Sequence, residues 1–335
     1  MSIITEDIKR YKATVNNDTS GNGGRMSTNL ITSGVRNAVF PNVSESERTS
    51  GITRWRKVFI KIANDDDLTF YNTKVHLTTT TGADDYVVIT SGTQTNIQSD
   101  LSSPRIYGCG ILGSDITSGA STLTVSIEGA NSTAWNNLNI FNTSTADNII
   151  WIGDGTNNEY FEEVSASKTD NVYTLTLKSG DTVTNNYSTT NTYIASCINT
   201  GDIACSFDSV VVTSASGTFN TETFPILLDN IGTVYDSWTI LFTNATTYTI
   251  TGLNEGTLSS GGNISSNASP INSAFAKKYF TIQSGAFGGT FASGDIITFK
   301  TYPAAIPLWI REIVPASSAS YANNTWTERI VGESA

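Results

Sequence analysis

Apolar residues along this chain recur mostly at every second position and in short runs, the period of strands rather than of helices. ITRWRKVFIKI (52–62) alternates Trp55, Lys57, Phe59 and Lys61 against Arg54, Arg56, Val58, Ile60 and Ile62. That predicts a long strand, and its charges suit a guarded sheet edge. Residues 68–80 read as the returning strand, with His76 inside it. Between 111 and 200 strand signals fall at 122–127, 148–152, 159–164, 172–177 and 192–197. Turns separate them at Asp154-Gly155, Thr169-Asp170-Asn171 and Ser179-Gly180-Asp181. Such short, evenly spaced strands predict a small closed barrel. A third β unit is expected within 205–310. Its strands lie at 210–213, 238–243, 248–252, 279–283 and 295–301, with Trp238 as a core anchor.

Three segments break the two-residue period. In 5–15 (TEDIKRYKATV), Thr5 can cap a helix, Glu6 and Asp7 suit its first turn, and Ile8, Tyr11 and Val15 fall at helical spacing. In 27–40 a second helix is predicted, capped by Ser27, with Leu30, Ile31, Gly34 and Val35 on one face and Pro41 stopping it. The last segment, punctuated by Pro303, Pro307 and Pro315, carries Trp309, Tyr321 and Trp326 with little pattern. It reads as an extended tail packed on the same chain or the next subunit. The expected fold is mainly β: multi-domain β-sandwich and small-barrel modules with short N-terminal helices and extended terminal arms. The expected divisions are 1–50, 51–110, 111–200, 201–302 and 303–335.

Composition narrows the chemistry. At 335 residues the chain is long for one core. It is 38% hydrophobic, enough to fold, and only 15% charged, so hydroxyls and amides must cover much of its surface. Residues 1–61 hold ten of the 19 Lys and Arg and five of the 30 Asp and Glu, a net +5. The remaining nine bases and 25 acids leave −16, which together give the overall −11. A basic end on an acidic body suggests head-to-tail attraction between copies or docking on an acidic partner. The basic residues are not interleaved with a stacking aromatic set, so no direct nucleic-acid contact is expected. No signal-peptide pattern opens the sequence and no stretch reaches transmembrane length, so a chain made in the cytoplasm and no membrane partner are expected.

Candidate catalytic groups are few. His76 is the single histidine, the residue type that most often shuttles protons or binds metal near neutral pH. In a Thr-rich strand it reads as facing solvent or a neighbouring hydroxyl. Asp65-Asp66-Asp67 lacks the ligand spacing and turn glycine of a calcium loop and reads as a solvated turn. Asp154 and Glu159 read as a turn aspartate and an edge glutamate rather than a glycosidase pair. Cys109, Cys197 and Cys205 stand at no metal spacing. A Cys197–Cys205 bridge across a hairpin is conceivable, and buried thiols are the favoured reading. No catalytic residue, cofactor or metal is assigned.

Both ends carry a resemblance. The RYK start (10–12), GGRMS turn (23–27), G-V-x-N-x-x-F-P segment (34–41), S-E-x-x-R-T segment (44–49) and R-K-V-F strand (56–59) resemble a family of structural proteins of contractile-tailed phages and Mu-like prophages. The C-terminal PLW, VPA and GES elements resemble that family's ending. The resemblance implies a non-enzymatic virion protein at the neck, between portal and tail. Such a protein would form a cyclic homo-oligomer and touch neighbouring neck, portal or tail proteins. Arg10, Lys12, Arg25, Arg36, Arg54, Arg56, Trp309, Arg311, Tyr321 and Trp326 are the expected inter-subunit contacts. The alternative is a receptor- or glycan-binding or decoration module on a tail, baseplate or capsid, which the Thr- and Asn-rich β units would suit.

Overall fold

The computed structural model describes residues 2–127, 138–259 and 261–334. A base domain is built from both ends of the chain. Its larger sheet runs, in spatial order, Gly23–Leu30, Ile8–Val15, Ile52–Ile62, Ala305–Val314 and Tyr86–Ser91, all neighbours antiparallel. A smaller sheet places Phe70–Leu77 between Ile198–Ile203 and Glu328–Ser334. Val58, Ile60, Ile89, Leu308 and Ile310 of the first sheet share one apolar cluster with Val75, Leu77 and Ile198 of the second. Each fully buried aliphatic side chain there contributes roughly 1.5–3 kcal/mol. The termini meet: Ile3 N–H donates to Ser334 Oγ at 2.9 Å, and Arg10 pairs with Glu328 at 2.8 Å.

Two modules are inserted into this base. The first is the expected barrel. Six strands close in the order Val172–Thr176, Thr122–Ser126, Cys109–Leu112, Tyr193–Ser196, Asn148–Gly153 and Asn158–Thr169. Alternation explains it: Leu123, Val125, Tyr173 and Leu175 point inward between exposed or half-buried neighbours, mostly Thr and Ser. Closure leaves no open edge. The second module is a sheet of Ser206–Thr213, Ile296–Tyr302, Asp236–Phe242 and Thr247–Gly252, with short strands beyond. Trp238 anchors its core, and its indole donates to Thr301 Oγ1 at 2.8 Å.

The ends of the chain correct the sequence reading. Residues 5–15 form only a 3-10 turn, Thr5–Asp7, before the strand Ile8–Val15. The helical spacing of Ile8, Tyr11 and Val15 loses to the ladder with Ile52–Ile62, which buries Tyr11 and Ala13 two residues apart. A helix this short is marginal without packing, whereas a central sheet position satisfies its backbone directly. Residues 27–40 hold no helix; the strand Gly23–Leu30 is followed by an irregular loop. Among the described residues the one α-helix is Glu45–Ser50, closed by a capping box between Ser44 and Glu47.

Ile52–Ile62 is not an edge strand, because both its sides are paired. Phe70–Leu77 does not return beside it but belongs to the other sheet. The last segment is no extended tail: Ala305–Val314 is a central strand and Glu328–Ser334 completes the small sheet. Strands from 1–50, 51–110 and 303–335, together with Ile198–Ile203, make up the two sheets of the base. All three cysteines are free.

Candidate interaction surface

The charged residues of Ile52–Ile62 face inward. Arg54 is buried and donates to Glu312 from Nε and Nη2 at 2.8 and 2.6 Å, and to the Pro41 carbonyl at 3.1 Å. Burial pushes the Glu312 carboxyl up, against the pull of Arg54. Arg56 pairs with Asp18 at 2.6 Å, a hydrogen bond that holds this carboxyl below its ordinary range. Both guanidinium groups lie near the Phe40 ring, at 5.7 and 5.4 Å from its centre.

On the opposite face, Lys57 Nζ donates to the carbonyls of Gly24 and Asn96 at 2.7 and 2.9 Å. Burial lowers its pKa to about 7. Lys61 donates to the Ile231 carbonyl of the second module at 2.5 Å and sits 4.3 Å from the Phe275 ring centre. Its pKa falls to about 8 for the same reason.

The other expected contacts divide sharply. Arg10 is held by Glu328, and Arg25 reaches Glu255 at 3.2 Å and so ties the base to the second module. Trp309 is fully buried beside Trp55, with its indole donating to Asn96 Oδ1 at 3.3 Å. Arg311 lies over Trp55, half-buried, and Trp326 packs against the base core. Lys12 is half-buried on Ile8–Val15. Arg36 and Tyr321 alone of the ten are exposed. Of the ten basic residues in 1–61, Arg10, Arg25, Arg54 and Arg56 are paired with carboxylates inside the chain, and Lys57 and Lys61 are buried on backbone carbonyls.

Arg36 and Tyr321 lie in two loops of the base, residues 31–44 and 315–327. The 31–44 loop starts where Ile31 N–H donates to the Arg10 carbonyl at 2.7 Å, and it is pinned again by buried Phe40. Val35, between these anchors, is 56% exposed. The 315–327 loop runs beside Glu45–Ser50: Ser317 and Ser318 donate to the carbonyls of Thr49 and Arg48 at 3.3 and 3.1 Å. Gly51 adopts φ 78°, and a Cβ there would meet Ala316 N at 2.9 Å, so only glycine allows the two segments this approach. Asn324 fastens the far end, accepting from the Gly82 and Ala83 amides and donating to Asp85. Tyr321 projects between these ties, also 56% exposed. The buried Arg54–Glu312 pair forms the floor beneath. This arrangement was missed in the sequence; the capping-box pattern Ser44-x-x-Glu47 was the signal that could have located its helix.

The other candidates have structural roles. His76 is fully buried where Phe70–Leu77 meets the barrel. It stacks on Trp151, and its ring nitrogens lie 3.0 Å from Tyr160 Oη and 3.1 Å from the Leu77 carbonyl. Desolvation drops its pKa to about 4. Asp65 pairs with Lys277 at 2.6 Å and Asp67 accepts from Asn230 N–H at 2.7 Å, so the acidic turn docks the second module. Asp154 caps its own turn by accepting from the Thr156 and Asn157 amides, and Glu159 accepts from Thr184, Asn185 and Tyr187. Among the described residues no group of three His, Cys, Asp or Glu could hold a metal, and no helix is long and apolar enough to cross a membrane. No family model, curated protein or solved structure matches the chain.

Proposed function

We propose that this chain is a non-enzymatic structural protein of a tailed-phage virion, forming a ring at the neck. The base domain would make the ring, and its 31–44 and 315–327 loops would meet the next subunit. Neck, portal or tail proteins would cover its two faces. One observation supports this most: every quoted sequence element of the phage-family resemblance lies in the base. Three of them, 34–41, 44–49 and 314–316, are joined through Arg54, which reaches Pro41 and Glu47, and through the Ser317 and Ser318 amides, and the loops they belong to expose Val35 and Tyr321. Exposed apolar and aromatic side chains on a braced platform suit a protein contact. Arg54 and Arg56 are already paired with carboxylates, so they should add little salt dependence to assembly.

Analytical sedimentation and negative-stain imaging of the full chain, alone and with portal or tail-terminator protein, test the proposal. A closed ring is expected, and Val35→Asp with Tyr321→Ala should reduce it to monomers with an unchanged melting temperature. A chain that stays monomeric in every mixture, or rings indifferent to the double substitution, would overturn it.

A further inference from the structure

The geometry points to a binding site for an uncharged glycan in a groove on the barrel. The groove opens where the ladder between Cys109–Leu112 and Thr122–Ser126 is short, holding only the pairs Ile111–Ser126 and Leu112–Val125. Its volume is about 710 Å³, within the range of small-ligand sites. Ser114, Thr124, Ser126, Thr189, Thr190 and Asn191 supply its polar lining, and among the described residues no charged side chain lines it.

Hydroxyls both donate and accept, and the amide does so through separate atoms, so this lining can match the hydroxyls of a sugar in either sense. Val172, 43% exposed, and the half-buried Tyr193 ring add apolar surface for the C–H face of a pyranose. A phosphate, sulfate or sialic acid would find no cation among the described lining residues, on a chain whose net charge is −11.

The wall is organised in advance. Behind it, Glu159 accepts from the Thr184 and Asn185 amides at 2.8 and 3.1 Å and from Tyr187 Oη at 2.9 Å. Asp115 accepts from Thr189 N–H at 2.7 Å. Glu159 and Asp115 thereby brace the 184–189 part of the wall, which lowers the conformational entropy lost on binding. Within the same wall, the buried Thr192 hydroxyl has no hydrogen-bond partner. Such an orphaned polar atom is a departure from the usual satisfaction of buried groups.

The site is independent of ring formation, and the test uses the full chain. Saturation-transfer NMR with chitotriose, maltotriose, mannotriose and lactose, against 3′-sialyllactose, should show transfer to at least one neutral sugar at millimolar concentration and none to the sialylated one. Thr190→Arg, which places a long side chain in the groove from an exposed position, should weaken that binding roughly tenfold or more. Thr182→Arg, exposed elsewhere on the barrel, should leave it unchanged. No transfer to any neutral sugar, equal transfer to sialyllactose, or binding that survives Thr190→Arg would overturn the assignment.

Discussion

The two inserted modules are attached to the base by different physics. The barrel shares its core with the base: Tyr86 and Val88 lie in the barrel's apolar cluster, with Ile313 packed against it, while Cys109, Trp151 and Ala195 lie in the base's. The second module keeps a core of its own, from Ile226 to Phe299, with no base residue in it. Its attachments are mainly polar: Lys61 to Ile231, Arg25 to Glu255, Lys277 to Asp65 and Asn230 to Asp67. A small cluster around Ile62, Phe70, Ile203 and Ala304, at the root of its two connections, and the Tyr11–Phe275 ring contact add the apolar part. Apolar continuity makes neighbours unfold together, whereas exposed ion pairs contribute about 0–1 kcal/mol each. Base and barrel should therefore behave as one cooperative unit, and the second module as another.

The largest test of that contrast is truncation. Deleting 316–335 removes Glu328–Ser334, the Glu328 partner of Arg10 and the Asn324 fastening. Base and barrel should lose their cooperative unfolding, while the second module keeps its native tryptophan fluorescence. A truncated chain that melts like the full one would show that the C-terminal strand is dispensable. Next in size, Trp238→Ala should destabilise the second module by about 3–5 kcal/mol and leave the barrel–base transition where it was. Movement of both transitions would join the modules.

Two pH tests separate the junctions further. His76 has a folded pKa of about 4 against 6.5 unfolded. The unfolded state thus binds the proton first, so stability present above pH 6.5 is lost as pH falls toward 4. At about 1.4 kcal/mol per pH unit this reaches roughly 3 kcal/mol for the barrel–base transition. His76→Phe should flatten that acid limb, and a slope identical to wild type would remove His76 from the junction. Lys61 acts at the other junction, facing Cys205 and Asp229. Its folded pKa of about 8 lies below its ordinary 10.5, so the unfolded state binds more protons between those values. The wild type should gain stability relative to Lys61→Met as pH rises from 8 to 10.5, by about 1 kcal/mol or more. A pH-independent difference between the two would show that the amine is solvated.

What could be read from the sequence follows the same contrast. The barrel was legible because its partners are close in the chain and its strands alternate, as in Leu123, Val125, Tyr173 and Leu175. The base was not, because several of its pairings join residues more than 240 apart, such as Lys61 with Ala305 and His76 with Arg329. Nothing local marks such partners. Pro307 misled for a similar reason. Its carbonyl accepts from Gly92, so the side lacking an N–H faces the point where Tyr86–Ser91 has ended, and a central strand tolerates it there. Lys57 and Lys61 looked like a solvent face because the segments that cover them, around Asn96 and Ile231, lie far away in sequence. The loops around Glu45–Ser50 combine both difficulties: Arg48 and Ser318, 270 residues apart, form one surface.

Differential scanning calorimetry of the intact chain beside Trp238→Ala tests the central claim most directly. Two transitions are predicted, the base with the barrel in one and the second module in the other, with only the latter moved by the substitution. A single transition that shifts as a whole would contradict it.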